Sequence, residues 1–105
     1  MQITLERGGG VAGAAHHKRL GPIDPDAQDA DAKKQLEGLV DELDFFEMSD
    51  DFPRTGGMSD PTWQSVRVVE GDADRTVRWD SNQQVPEKLR QLRDLCASRG
   101  DWQDV

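Results

Sequence analysis

Apolar and polar residues alternate at the start of the chain, with Ile3 and Leu5 set between Gln2, Thr4 and Glu6. A period of two turns alternate side chains to one face, so the spacing predicts a strand with one buried side. Gly8, Gly9 and Gly10 follow and suit a tight reversal into a second strand from about Val11 to Leu20. Gly13, Ala14 and Ala15 give that strand little to pack, which puts it at a sheet edge. Between Asp29 and Asp44 the period changes. Leu36, Leu39, Val40 and Leu43 fall at i, i+3, i+4 and i+7, one stripe of an amphipathic helix. Asp24, Asp26, Asp29 and Asp31 supply cap oxygens and negative charge at its positive end, and Phe45, Phe46 and Met48 close it against the core.

Residues 49–61 mix Gly, Pro, Ser and Asp and predict an irregular, mobile loop. Val66 and Val68, then Val77 and Trp79, alternate in two strands, Trp63 to Glu70 and Arg75 to Asp80, joined by the turn Gly71 to Asp74. Pro86 and Glu87 suit a helix start, and Leu89, Leu92, Leu95 and Cys96 recur at helical spacing until Gly100. The order is β-β-α-β-β-α. Two hairpins joined as one four-stranded antiparallel sheet, with both helices packed on one face, bury these stripes together and give an α+β fold.

At 105 residues the chain has enough apolar surface for one core, so residues 1–105 read as one domain, with 101–105 as a tail. Charge sharpens the picture. The formal net charge is −8, and residues 24–51 hold eleven acids against two bases while the rest is nearly balanced. A chain this acidic repels phosphate backbones and anionic lipid, so neither nucleic acid nor a membrane is expected as partner. Met1 to Glu6 lacks a basic and apolar leader pattern, and the expected location is the cytoplasm. The expected state is a monomer.

Little in the chain has the spacing of a catalytic or metal site. His16 and His17 are adjacent on a strand and face opposite sides, which suits exposed edge residues better than shared metal ligands. The run Asp24 to Asp31 has a superficial likeness to a calcium loop, but it lacks the sixth-position Gly and the twelfth-position Glu, so helix capping explains it. Gly8 to Gly10 precede a strand, not a helix, and make no phosphate cradle. Cys96 lies on the buried stripe of the last helix and has no second Cys to pair with. Asp41, Glu42, Asp44 and Glu47 read as a solvated helix face. No catalytic residue, metal ligand or cofactor is assigned, and an enzyme is not expected. Trp79 is a core residue by alternation, whereas Trp63 and Trp102 suit either packing or a partner.

The series as a whole resembles the emfourin family. The residues that carry the likeness are Ile3-Thr-Leu with the three glycines, Leu36-Glu-Gly-Leu-Val-Asp-Glu-Leu running into Asp44-Phe-Phe-Glu-Met, Val66-Arg-Val-Val-Glu-Gly leading to Thr76-Val-Arg-Trp-Asp, and Pro86-Glu-Lys-Leu-Arg-Gln-Leu. Val11 stands where members often carry an aromatic. The resemblance implies a small inhibitor of a protealysin-like, thermolysin-type zinc metallopeptidase that acts by occluding the active-site cleft. On that footing the candidate wedge is Leu20, Pro22, Ile23, Asp24, Pro25, Asp26, Ala27 and Gln28. Ile23 or Leu20 would anchor in an apolar pocket, Asp24 or Asp26 would approach the metal or a cleft arginine, and Pro22 and Pro25 would stiffen the segment. The competing expectation for the same residues is a capping linker with Ile23 tucked into the core. The alternative function is an acidic, non-enzymatic interaction module that recruits a basic partner. Fifteen Asp against six Glu also fit adaptation to high salt.

Overall fold

Three rows of side chains explain the architecture. A computed structural model describes residues 1–9, 17–57 and 61–105. Its elements are β1 (Gln2–Gly9), β2 (Lys18–Ile23), a one-turn 3-10 helix (Pro25–Ala27), α1 (Ala30–Glu42), β3 (Thr62–Glu70), β4 (Ala73–Asp80), α2 (Glu87–Ala97) and β5 (Gln103–Asp104). The strands form one antiparallel sheet in the order β4-β3-β1-β2-β5. Across it, pairing aligns Ile23, Ile3, Val68 and Arg75 in one row, and Leu20, Leu5, Val66 and Val77 in the next. A third row, Lys18, Arg7, Gln64 and Trp79, ends the apolar surface.

The first two rows meet the helices. Ile3, Leu5, Val66, Val68 and Val77 are fully buried and share one core with Leu36 and Val40 of α1 and Leu89, Leu92 and Cys96 of α2. Leu39, Leu43, Phe46 and Leu95 pack against it from the margin, and Phe45 closes it below α1. The opposite sheet face is polar, with Gln2, Thr4, Glu6, Arg19, Arg67 and Thr76 around a shallow depression. This division follows from the period of two, because a one-residue slip would turn Val66 and Val68 of β3 to water.

The structure adds a fifth strand to the four expected. The tail, residues 101–105, contains β5, which pairs Gln103 with Arg19 and Asp104 with Lys18. So β2 is not the outermost strand. It also runs further than expected at its C-terminal end, through Ile23, while Val11 to His16 and Gly10 lie outside the described residues. Gly8 and Gly9 belong to β1 and not to a turn. Gly8 is needed for another reason: a Cβ there would sit 2.9 Å from the Trp63 indole, which lies over it. Between Glu70 and Ala73 the turn is only Gly71-Asp72, with Gly71 at φ +59°, where glycine carries no side-chain clash.

Residues 49–57 are irregular, as expected, and they make specific contacts with the rest of the fold. Phe52 is buried, Gln84 N–H donates to the Pro53 carbonyl at 2.8 Å, and Thr55 N–H donates to the Asn82 carbonyl at 2.7 Å. Arg75 donates to the Met48 carbonyl at 2.6 Å and ties the exit of α1 to β4. Met58, Ser59 and Asp60 lie outside the described residues.

Because Leu5 sits at the centre of the middle strand with no exposure, Leu5→Ala is expected to lower unfolding free energy by about 2–5 kcal/mol, the range for a buried leucine that leaves a cavity. Leu39→Ala at the core margin is expected to cost less than half as much. Urea denaturation of both variants measures the difference.

Candidate partner-docking surface

The segment from Leu20 to Gln28 is built from the inside out. Leu20 and Ile23 are 1% and 6% exposed, lie opposite Leu5 and Ile3, and belong to the core rows. Only Thr4 of β1 stands between those two pairs, against Gly21 and Pro22 of β2, so the segment bulges outward there. Gly21 has φ +109°, and a Cβ on it would come 2.8 Å from the Ile3 carbonyl oxygen. No other residue fits that position without moving β1. Pro22 is exposed on the crest of the bulge.

Beyond the bulge the chain turns into the 3-10 helix. Pro25 is fully buried at its start, Asp24 Oδ1 accepts from the Asp26 N–H at 2.9 Å, and the Asp24 and Pro25 carbonyls accept from Ala27 and Gln28 N–H at 3.0 and 3.1 Å. Asp29 then caps α1, its Oδ1 accepting from Ala32 N–H at 2.8 Å while Oδ2 meets Arg99 Nη1 at 3.1 Å. That ion pair fastens the segment to the chain after α2. Gly100 completes the join, since a Cβ there would lie 3.1 Å from both Leu20 and Ile23. Of the four aspartates expected at the start of α1, Asp29 caps it, Asp24 caps the 3-10 helix instead, Asp31 stands in the first turn of α1, and Asp26 pairs with Lys33.

Burial removes Leu20 and Ile23 as anchors for a partner's pocket, because each would have to leave the core first. Pro25 is likewise turned inward. Pro22, Asp24, Asp26, Ala27 and Gln28 are what the segment offers outward. The hydrogen bond from Lys33, 2.8 Å away, holds the Asp26 carboxyl below its ordinary range, and the Ala32 N–H followed by Arg99 does the same for Asp29. The outer face of the segment is therefore tied by hydrogen bonds and carries carboxylates at Asp26 and Asp29 held in their ionised form.

A second group of interacting side chains stands at the opposite end of the sheet, around the third row. Arg7 lies over the Trp102 ring, 4.3 Å from its centroid, and on the other sheet face Arg78 lies 4.1 Å over Trp63. His17 meets the Trp63 ring edge-on with centroids 5.3 Å apart, and its Nε2 is 2.9 Å from Glu6 Oε2. Burial alone would raise the Glu6 pKa, but hydrogen bonds with His17 and Arg19 outweigh it and hold the carboxyl low. His17 is thus bonded and half-buried, not simply exposed, while His16 lies outside the described residues. These pairs were not legible in advance, since each joins elements that only the register brings together. The one signal was Gly8, the cross-strand partner of Trp63.

Cys96 is fully buried, and burial pushes its thiol up to about 12, so it is not a thiolate nucleophile at neutral pH.

Comparison with known families settles the kinship. The Emfourin family model matches residues 5–96. The chain belongs to the Emfourin family. The matched span takes in the bulge and the 3-10 helix of this Emfourin chain and stops before Trp102 and β5. No curated protein and no solved structure matches the chain.

The Asp29 cap carries a pH signature. Its carboxyl titrates lower in the folded chain than when unfolded, so its contribution is fully present above the unfolded value and is lost as pH falls through the folded one. Asp29→Ala is therefore expected to lower the urea midpoint at pH 7, with most of the difference from the parent gone by about pH 2. A difference independent of pH over that range would show that the ionised cap contributes nothing.

Proposed function

We propose that this Emfourin chain inhibits a thermolysin-type, protealysin-like zinc metallopeptidase by occluding its cleft. The observation that carries the reading is the family match across residues 5–96, since the family is one of metallopeptidase inhibitors. Family kinship is also consistent with a chain that binds without catalysing.

The surface assigned to the cleft is the outer side of Gly21 to Gln28. Leu20, Ile23 and Pro25 act from within as the roots of this surface, and Pro22, Asp24, Asp26, Ala27 and Gln28 make the contact. Rooting lowers the ordering cost of binding, because the segment is already fixed by two prolines, a bulge and a turn before it meets the enzyme. A carboxylate at Asp24 or Asp26 is the right chemistry for a zinc ion or an arginine in the cleft. A bulge followed by a 3-10 turn is also a poor substrate shape, since no extended peptide is offered for in-line attack.

Titration against a protealysin-like peptidase with a fluorogenic peptide substrate tests this directly. Activity is expected to fall to near zero at stoichiometric inhibitor, and the Asp24→Ala/Asp26→Ala double variant, folded by circular dichroism, is expected to weaken inhibition by roughly ten-fold or more. Full activity at a large molar excess of the parent would overturn the inhibitor reading for that enzyme. Unchanged potency of the double variant would remove the segment from the interface.

A further inference from the structure

The third row of the sheet ends in an open cavity of about 460 Å³, lined by Arg7, Lys18 and Arg93 together with Gly9, Trp63 and Gln64. Three cations and no carboxylate line it among the described residues, on a chain whose net charge is −8. The contrast has a local cause. Arg7 and Lys18 are cross-strand partners, and Gln64 lies on the other side of Arg7, so the row that would continue the core is instead polar and basic. Arg93 reaches down from α2 to bond Gln64 Oε1.

Two of these cations are already neutralised. Arg93 pairs with Asp94, and Lys18 Nζ stands 3.6 Å from Asp104 Oδ1. Arg7 differs. It has no carboxylate partner among the described residues, and its guanidinium carbon stands over the Trp102 ring, 4.3 Å from the centroid. A cation–π contact satisfies none of the guanidinium's N–H donors, so Arg7 keeps the fork with which a guanidinium takes an oxyanion through two parallel bonds.

We propose that this cavity binds a single carboxylate of an acidic peptide segment, with Arg7 as its principal ligand and Arg93 and Lys18 at its flanks. The charge balance selects a carboxylate over a phosphate dianion. One uncompensated cation matches one negative charge, and a dianion would meet twice the repulsion from the acidic chain. Size selects a peptide over a bare anion. The cavity would hold on the order of fifteen waters at ~30 Å³ each, far more than a carboxylate fills, so flanking backbone can lie over Gly9 and against Trp63. The site lies at the far end of the sheet from Gly21 to Gln28 and does not depend on the identity of any peptidase.

The test uses the full chain and acetyl-Gly-Gly-Glu-Gly-Gly-amide, with the same peptide carrying Gln in place of Glu as control. Amide shifts of Gly8, Gly9, Thr62, Trp63 and Gln64, which line the cavity, report on it. Saturable shifts at millimolar Glu peptide are expected, with little response to the Gln peptide. Arg7→Gln and, separately, Arg93→Gln are expected to weaken binding by up to roughly five-fold, while Arg90→Gln, outside the cavity on the same helix as Arg93, leaves it unchanged. No saturable shift by about 10 mM, or equal shifts from both peptides, would overturn the proposal. Inorganic phosphate binding as tightly as the Glu peptide would overturn the choice of a carboxylate.

Discussion

Strand β1 has a partner on both sides, and the rest of the fold takes its place from that pairing. Eight positions of β1 pair with β3, and Ile3, Leu5, Glu6 and Arg7 pair with β2. Ile3 and Leu5 then have only one direction left, toward the helices, and both are fully buried there. At roughly 25 cal/mol per Å² of apolar area removed from water, this doubly flanked strand is the most efficient place to bury large aliphatic side chains. The two helices follow, because α1 and α2 can cover their own stripes only on the face that β1 makes apolar.

Both surfaces of functional interest are consequences of where that strand changes character. At the Ile3 end, the extra residue of β2 opposite Thr4 throws Gly21 and Pro22 outward while Leu20 and Ile23 stay in register with the core. A protruding segment is thereby held by the same side chains that stabilise the domain, and rigidity at its crest needs no separate device. At the other end, Arg7 replaces the next expected aliphatic residue, and a basic recess opens beside two tryptophans. The acidity is concentrated in residues 24–51, which begin beside the bulge and carry eleven acids against two bases. The field of such a block can orient an approaching partner before contact, and salt would weaken that effect.

Elements with several apolar residues in one period were legible in the sequence. The Leu36, Leu39, Val40 and Leu43 stripe and its Asp29 cap defined α1, and the valines of β3 with Val77 and Trp79 of β4 defined the second hairpin. What escaped depended on pairing between distant segments. Ile23 is a lone aliphatic residue between two prolines, so the sequence left a pocket anchor and a core residue both open, and its register with Ile3 decides for the core. Gly8 looked like turn chemistry because its packing reason, the Trp63 ring, lies more than fifty residues away. β5 is two residues long and carries no pattern of its own. Within the candidate segment, pairing and not local pattern decides which side chains turn inward, Leu20, Ile23 and Pro25, and which stay outside.

Hydrogen exchange of the backbone amides, measured on the chain alone and in the presence of a protealysin-like peptidase, bears most directly on the assignment of the docking face. The account predicts that added protection concentrates in Gly21 to Gln28, with the Gly71-Asp72 turn unaffected. Protection confined to other surfaces, with Gly21 to Gln28 exchanging as in the free chain, would contradict it.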